Sequence, residues 1–267
     1  MRIVRVARPG GPAFGLVRGD LVVLLDGHPF ADFTLTDQVA PLARVRLLAP
    51  VLPSKVLCAG KNYADHAAEM GGQGEVADGQ GRAGGVPDEP LIFCKPATSV
   101  IGAGDDIRLP ALSDEVHHEA ELAVVIGRLT RRVAVKDAHA AVLGYTCAND
   151  VTARDLQRRD GQWTRAKGFD TFCPLGPWID TDVDPADGLT VSCTVGGELR
   201  QNGSTADMVF DVSQLVAYCA AFATLLPGDV ILTGTPAGVG PLRDGDRVTV
   251  AVEGVGELTN TAVAEAP

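Results

Sequence analysis

Apolar residues along the chain form short runs, and most of these runs are bounded by glycine, proline or charged residues. Runs of about four to eight residues between turn residues are typical of β-strands. The pattern therefore predicts strands at residues 3–6, 14–17, 21–25, 55–59, 91–94, 107–109, 121–126, 143–147, 189–195, 230–233, 247–252 and 257–262. Gly196-Gly197, directly after the strand at 189–195, is typical of a hairpin turn.

The spacing of polar and apolar residues also predicts three helices, at residues 62–70, 136–142 and 211–225. In the last of these, Asp211 is a candidate N-cap, and Pro227-Gly228 ends the helix. Residues 71–89 are rich in glycine, glutamine, aspartate and proline and have few large apolar side chains. This composition predicts a mobile loop that could close over a site as a lid.

The predicted strands outnumber the helices and do not alternate with them regularly, which argues against a Rossmann fold or a (β/α)₈ barrel. We therefore expect a mostly β fold with a few helices, of the α+β class. Pro50 and Pro53 interrupt the chain after the first group of strands. The sequence thus predicts a small N-terminal β domain at residues 1–52 and a catalytic domain at residues 53–267.

Composition narrows the classes of function. The 267 residues are 46% hydrophobic, which is enough for a substantial core. The net charge of −11 disfavours nucleic acid and anionic membranes as partners, and an anionic substrate would need local positive charge. The start MRIVRVARPG lacks the features of a signal peptide, and the apolar runs are too short to cross a bilayer. A cytoplasmic location is expected.

The six cysteines are scattered without a C-x-x-C pair, so buried free thiols in a reducing compartment are expected rather than disulfides. A zinc hydrolase is a further alternative. It is disfavoured because the chain has no H-E-x-x-H motif and no cluster of cysteine and histidine.

Two acids on one predicted strand are the first candidate for chemistry. Glu119 and Glu121 are two residues apart, so their side chains share a face. Paired carboxylates on an apolar strand are costly to bury unless a hard cation such as Mg²⁺, Mn²⁺ or Ca²⁺ binds them. The alternative is a solvent-exposed start of the strand. Asp150 follows another apolar strand and is a third candidate ligand, although it could instead cap a helix over residues 153–158.

Two further segments add candidate binding groups. Lys167 lies among small and aromatic residues, where a lysine usually needs a partner, although a surface loop would also explain it. Residues 233–240 read T-G-T-P-A-G-V-G directly after an apolar strand. This segment resembles a glycine-rich anion cradle, but it lacks the G-K-[ST] ending of a P-loop.

Five motifs in a fixed order carry a resemblance to a known family. They are K-N-Y-A-D-H-x-x-E (61–69), H-H-E-x-E-L-x-x-V-I-G (117–127), N-D-V-T-A-R-D-x-Q (149–157), A-K-x-F-D-T-F-x-P (166–174) and L-x-x-G-D-V-I-L-T-G-T-P-x-G-V-G (225–240). From about residue 55 to the C-terminus the chain resembles the fumarylacetoacetate hydrolase family. The N-terminal β unit resembles that of bacterial members that act as hydroxyheptadienedioate isomerases or oxaloacetate decarboxylases.

The resemblance implies a rolled, mixed β-sheet around the active site, and a homodimer. It also implies a Mg²⁺ or Mn²⁺ ion, with Ca²⁺ as a further option, bound by Glu119, Glu121 and Asp150. Larger members of the family have an additional aspartate ligand where this chain has Lys61-Asn62-Tyr63. We therefore expect three protein ligands.

By the same resemblance, Lys167 is expected to touch the substrate oxygens. Arg154 and Gln157 are expected to help hold a substrate carboxylate, and Thr235 to contact it from the glycine-rich segment. The implied substrate is a small anionic 2-oxo acid.

His66 and Glu69 are candidates for acid–base catalysis. Their i, i+3 spacing on a predicted helix lets Glu69 orient the imidazole of His66. The alternative is an exposed pair on a surface helix. The resemblance favours a catalytic pair on a helix next to a lid.

The reaction expected first is metal-dependent cleavage of a carbon–carbon bond, as in the hydrolysis of an acylpyruvate or fumarylpyruvate. Decarboxylation of oxaloacetate and isomerisation of 2-hydroxyhepta-2,4-diene-1,7-dioate need the same metal site and remain alternatives. A non-catalytic binding module is the remaining alternative. The presence of all three acids and of the His–Glu pair argues against it.

Overall fold

Strands dominate the computed structural model, which describes residues 1–71 and 85–265. The loop predicted at 71–89 lies, from residue 72 to 84, outside the described residues. The described strands are β1 (Arg2–Val6), β2 (Ala13–Arg18), β3 (Leu21–Gly27), β4 (Phe33–Pro41), β5 (Leu47–Leu48), β6 (Val56–Gly60), β7 (Leu91–Lys95), β8 (Val100–Ile101), β9 (Asp106–Leu109), β10 (Val116–His118), β11 (Ala120–Ile126), β12 (Val142–Asn149), β13 (Thr152–Ala153), β14 (Cys173–Asp180), β15 (Thr190–Val195), β16 (Glu198–Ser204), β17 (Val230–Leu232), β18 (Gly240–Pro241), β19 (Arg247–Val252) and β20 (Gly256–Ala264).

The helices of the same residues are short. The α-helices are α1 (Ala64–Gly71), α2 (Val135–Ala138), α3 (Arg154–Asp160), α4 (Thr164–Lys167) and α5 (Val212–Phe222). Single 3₁₀ turns occur at Leu42–Arg44, Ala97–Ser99, His139–Ala141, Pro185–Asp187 and Thr205–Asp207. The expected fold class, mostly β with a few helices, is confirmed.

The largest sheet has the order β4-β3-β2-β1-β14-β12-β11-β17-β6-β7, with β5 beside β1 and β8 beside β14. Most neighbours are antiparallel, but β17 and β6 run parallel, so the sheet is mixed. Strand β11 lies near its centre, and all seven of its residues are buried. A strand covered on both faces carries mostly apolar residues, which explains why the sequence of β11 is apolar at every position except Glu121.

Two cores lie on the two faces of β11. Leu122, Val124 and Ile126 pack in a cluster with residues of a second sheet, which has the order β16-β15-β19-β20-β9. Ala123 and Val125 pack on the opposite face, in a cluster that includes residues of β1, β14 and β17. Because side chains alternate along a strand, Glu121 shares the face of Ala123 and Val125. Burial on both faces holds this strand rigidly.

The N-terminal strands belong to the same sheet as the rest of the chain. Strands β1 to β4 form an antiparallel meander, and β1 pairs with β14, where Arg2 lies opposite Asp180. They therefore extend the largest sheet and do not form a sheet of their own. The division into domains at residues 1–52 and 53–267 stays a prediction.

Helix α5 shows how local sequence sets an element. Asp211 accepts a hydrogen bond from the backbone N–H of Gln214, and the Gln214 side chain bonds back to Asp211. This capping box starts the helix at the predicted place. The helix ends at Phe222, three residues earlier than predicted, because Ala223 is extended. The helix predicted at 136–142 is shorter too, a turn of α-helix followed by a 3₁₀ turn.

Two findings bear on the location and on the thiols. Within the described part of the chain, no helix is long and apolar enough to span a membrane. All six cysteines are free, and five of them are buried; Cys94 is exposed.

Candidate active site

The three predicted metal ligands lie together. One carboxylate oxygen from each of Glu119, Glu121 and Asp150 lies within 4.8 Å of those of the other two, and none of the residues is more than 3% exposed. Strands β11 and β12 are antiparallel, with Ala120 opposite Asn149. The start of β11 therefore lies beside the end of β12, and the Asp150 N–H donates to Glu119 O at 2.8 Å. Asp150 does not cap the following helix, since Ala153 is at that position.

Cations surround two of the three carboxylates. Lys167 Nζ lies 2.7 Å from Glu119 Oε2 and 2.8 Å from Asp150 Oδ2. Arg154 Nη2 lies 2.5 Å from Glu119 Oε1. Burial alone would lower the pKa of Lys167, but Asp150 and Glu119 hold it above its usual value, so this lysine is charged. Lys167 is thus a partnered buried residue and not a surface lysine.

Lys95 is a buried cation of the site that the sequence analysis missed. It ends β7 and is fully buried, and its Nζ lies 2.5 Å from Asp150 Oδ1 and 3.0 Å from Val151 O. The one available signal was a lysine at the end of an apolar strand, in the segment Leu91–Lys95. A buried charge of this kind needs a partner, which here is a proposed metal ligand.

Glu121 differs from the other two carboxylates. Among the described residues it has no cationic partner, and it accepts a hydrogen bond of 2.6 Å from the Gly234 N–H. Burial and the charges of Asp150 and Glu119 raise the pKa of Glu121 well above its usual value. Lys167 and Arg154, in contrast, overcome the effect of burial and hold the pKa of Glu119 well below its usual value. The cluster therefore has an uncompensated carboxylate on the side of Glu121.

The glycine-rich segment approaches Asn62 closely because it has no side chain at Gly234. Gly234 has a φ of +97°, and a Cβ there would lie 2.8 Å from Asn62 Cβ. Asn62 holds the segment in place by donating to Thr233 O at 2.7 Å and to Phe210 O at 3.0 Å. The same asparagine lies two residues before the start of α1, so it couples that helix to the glycine-rich segment.

The predicted His–Glu pair is formed and is largely buried. His66 Nδ1 lies 3.3 Å from Glu69 Oε2, and His66 is 6% exposed. The Gly238 N–H donates to the same Glu69 oxygen at 3.2 Å. Burial alone would raise the pKa of Glu69, but the hydrogen bonds with His66 and the Gly238 N–H lower it below its usual value. The alternative of an exposed surface pair does not describe this geometry.

One pocket brings the candidates together. Eight of the nine predicted site residues line it, and the ninth, Glu69, contacts His66. The lining residues are Ala59, Gly60, Lys61, His66, Phe93, Glu119, Glu121, Asp150, Arg154, Gln157, Trp163, Lys167 and Thr235.

An aromatic wall of the pocket was not predicted. The rings of Phe93 and Trp163 meet edge to face, with centroids 5.2 Å apart, and Lys167 Nζ lies 5.0 Å from the centroid of Phe93. The indole of Trp163 lies against Gly60, where an added Cβ would be 2.6 Å from the ring. No local pattern in the sequence distinguishes these aromatic residues from ordinary core residues.

The predicted substrate-binding residues already bond to one another and to the cluster. Arg154 Nη1 donates to Gln157 Oε1 at 2.6 Å, and Arg154 Nε is buried without a partner among the described residues. The Thr235 hydroxyl donates to Ala120 O at 2.8 Å. The hydroxyl proton is therefore already used in this hydrogen bond, and the remaining donor of Thr235 is its backbone N–H. The role of each residue towards a substrate stays a prediction.

Comparison with family models matches the two parts of the chain separately. Residues 55–263 match the model described as fumarylacetoacetate (FAA) hydrolase C-terminal, and residues 1–50 match the model described as Rv2993c-like, N-terminal. The first match covers well over half of the chain.

Two curated relatives are similar over most of their length. Protein Rv2993c from Mycobacterium tuberculosis is 51% identical over 98% of each chain. The human mitochondrial oxaloacetate tautomerase FAHD2A is 46% identical over 84% of this chain and 72% of its own.

Two solved structures have the same fold. The 5-carboxymethyl-2-hydroxymuconate delta-isomerase from Mycobacterium smegmatis is 49% identical, with a TM-score of 0.89 over 99% of this chain and 100% of its own. Maleylpyruvate hydrolase from Sphingobium sp. SYK-6, in complex with manganese(II) and pyruvate, is 33% identical, with a TM-score of 0.79 over the whole of both chains.

Proposed function

The chain belongs to the fumarylacetoacetate hydrolase family, and from this premise we propose that it is a divalent-metal-dependent enzyme that acts on a small 2-oxo acid. The observation that carries the proposal is the buried cluster of Glu119, Glu121 and Asp150, which opens into the same pocket as His66 and Lys167. Carboxylates, a charged lysine and an imidazole in one small pocket suit proton transfer next to a ketone.

The donor set fits Mg²⁺ or Mn²⁺. All three groups are carboxylates, which hard divalent cations prefer, and Ca²⁺ would also accept them. A cation would remove the repulsion that Glu121 experiences from its two neighbours. Bound there, the ion would supply Lewis-acid stabilisation of the negative charge that develops on the keto oxygen of a 2-oxo acid. The manganese-bound relative supports this choice.

His66 is the proposed acid–base residue. Its Nδ1 faces the Glu69 carboxylate, which favours the tautomer with a proton on Nδ1 and leaves Nε2 as the base. Nε2 would take a proton from the carbon next to the ketone, or from a water molecule. Glu69 is held in turn by the Gly238 N–H, so the orientation of the imidazole depends on the glycine-rich segment.

The cationic side of the pocket is proposed to bind the acid end of the substrate. Lys167 lies between Glu119 and Asp150 and would stabilise charge on substrate oxygens at the cluster. Arg154, with Gln157 beside it, offers its unpaired Nε to a substrate carboxylate. These local charges would offset the long-range repulsion of an anion by a protein of net charge −11.

Three reactions of such an acid are candidates: proton transfer alone, hydrolytic cleavage of a carbon–carbon bond, and decarboxylation. Proton transfer alone gives tautomerisation or isomerisation, and beside the bound metal it needs only the His66–Glu69 pair, with no attacking water. The isomerase and tautomerase relatives, 49% and 46% identical, favour this reaction, which we place first. Hydrolytic cleavage of a carbon–carbon bond, expected first from the sequence, is the second candidate and is favoured by the 33% identical maleylpyruvate hydrolase.

A substrate panel distinguishes these reactions. Metal-stripped protein would be assayed with and without Mg²⁺ or Mn²⁺ on oxaloacetate, acetylpyruvate, fumarylpyruvate and hydroxyheptadienedioate. Metal-dependent exchange of the C3 hydrogens of oxaloacetate with deuterium, seen by NMR without release of CO₂, supports tautomerisation. Release of pyruvate from an acylpyruvate supports hydrolysis, and release of CO₂ supports decarboxylation. Equal rates with and without metal on every substrate would refute the proposed metal-dependent enzyme.

The assembly is a separate proposal. We propose a homodimer, as the family resemblance implies, and light scattering of the purified protein is the test. A mass of one chain, 27.8 kDa, would refute it.

A further inference from the structure

Gln201 is a fully buried polar residue next to the proposed metal site, and none of the steps proposed above uses it. It is the buried residue of β16, and its neighbours Arg200 and Asn202 are exposed. A glutamine is seldom buried unless its amide is hydrogen-bonded at both ends. Its partners therefore indicate what it does.

All the partners of Gln201 belong to the active-site framework. Its Oε1 accepts from the Ala120 N–H at 2.9 Å and lies 3.0 Å from His118 Nδ1. Its Nε2 donates to Thr235 Oγ1 at 2.7 Å and to Pro236 O at 2.8 Å. The Ala120 N–H can only donate and the Pro236 carbonyl can only accept, so the amide has one possible orientation.

The hydrogen bonds of Gln201 hold the backbone of β11 beyond the point where its pairing with β17 ends. Strand β17 pairs with β11 at Ala123, Val124 and Val125, and its ladder stops short of Ala120. There the Ala120 N–H is held by Gln201, and the Ala120 carbonyl is held by the Thr235 hydroxyl. Gln201 also bonds to that hydroxyl, so the three residues form a closed ring of hydrogen bonds.

The backbone of β16 lies directly against the glycine-rich segment. A Cβ at Gly203 would lie 2.5 Å from Pro236 Cβ, and a Cβ at Gly238 would lie 2.1 Å from Arg200 O. The segment can approach β16 this closely only because both residues are glycines. The strand therefore supports the segment that carries Thr235 and the N–H groups bonded to Glu121 and Glu69.

We propose that Gln201 is a positioning residue, which sets the distance between the strand that carries Glu119 and Glu121 and the glycine-rich segment that carries Thr235. Ala120 lies between the two glutamates, so the bond to its N–H constrains both proposed ligands. The bond to Thr235 constrains the pocket wall. The inference rests on the proposed metal site. It predicts that Gln201 governs metal affinity through one end of its amide and KM through the other.

Two variants separate the two ends. Gln201→Leu has a similar volume and makes none of the four bonds. Gln201→Glu keeps an acceptor for the Ala120 N–H and loses the donor to Thr235 and Pro236. Arg200→Gln is the matched control, because it is the next residue on the same strand and its side chain is exposed. The measurements are Mn²⁺ binding to metal-stripped protein, followed by the EPR signal of free Mn²⁺, with thermal unfolding, KM and kcat.

Loss of a residue that orients metal ligands typically weakens metal binding by about 10–100-fold. Gln201→Leu is expected to weaken Mn²⁺ binding in this range and to raise KM. Gln201→Glu is expected to restore Mn²⁺ binding to within about threefold of the parent protein while KM stays raised, since an acceptor remains and the donor does not. Arg200→Gln is expected to bind Mn²⁺ and substrate like the parent protein.

The outcomes separate this role from the proposed function. If the parent protein binds Mn²⁺ and both Gln201 variants bind it equally well with unchanged KM, Gln201 has only a structural role, whatever the change in unfolding temperature. If Gln201→Leu does not fold, an unchanged KM in Gln201→Glu refutes the role by itself. If the parent protein does not bind Mn²⁺, the proposed metal site fails and this inference fails with it.

Discussion

Replacing Lys95 by methionine is expected to lower the free energy of unfolding by about 3–5 kcal/mol, the range found when one partner of a buried ion pair is removed. Methionine keeps an unbranched apolar stem and removes the ammonium group with its two hydrogen bonds. Lys95 is fully buried, and its ammonium group bonds to Asp150 and to the carbonyl of Val151. Without it, Asp150 keeps Lys167 as its cation but remains 1% exposed beside two other carboxylates.

The loss of stability in Lys95→Met is measured by thermal and chemical unfolding of the metal-stripped protein. For a chain of this size a loss of 1 kcal/mol lowers the unfolding temperature by roughly 2–4 °C, so a decrease of roughly 6–20 °C is expected. Added Mn²⁺ is expected to raise the unfolding temperature more in Lys95→Met than in the parent protein, because the ion replaces the missing positive charge. Saturation at about 100 times Kd stabilises a protein by about 2.7 kcal/mol, which is measurable on this scale.

Two controls test the reasoning. Arg46→Met removes an exposed partner of Asp105 and is expected to cost at most about 1 kcal/mol. The double variant Lys95→Met with Asp150→Asn is expected to lose less stability than the sum of the single changes, because it removes the charge of Asp150 together with the cation that pairs with it. A loss below about 1 kcal/mol in Lys95→Met, or strictly additive effects in the double variant, would refute the view that this pair is energetically coupled.

Three other predictions concern the chemistry. His66→Ala is expected to lower kcat by about 10²–10⁴-fold with nearly unchanged Mn²⁺ affinity, and wild-type turnover on the true substrate would contradict its role. Lys167→Ala is expected to lower kcat and raise KM together, whereas Arg154→Ala chiefly raises KM; steady-state kinetics with effects on kcat alone from both would overturn the assignment. Trp163→Ala removes part of the aromatic wall and is expected to change the ratio of kcat/KM for fumarylpyruvate over oxaloacetate, and an unchanged ratio would exclude it from substrate selection.

Local patterns were sufficient for much of the fold and for part of the site. Short apolar runs between turn residues predicted many of the strands, because burial against a sheet requires few consecutive residues, but they missed β4, β14 and β16. The spacing of His66 and Glu69 predicted their contact, since residues three apart share a helix face. Asp211 predicted the start of α5 because a helix cap also acts locally, within one helical turn.

Distances between remote segments were decided only by tertiary structure. The alternation of side chains placed Glu119 and Glu121 on one face, but the register of β11 against β12 brought Asp150 to them. The contacts of Lys95 with Asp150 and of Gln201 with Ala120 join segments more than 50 residues apart. Such pairs depend on which strands become neighbours when the apolar faces pack. The sequence by itself therefore determined which groups could do chemistry, and the packing of the sheets determined which of them meet.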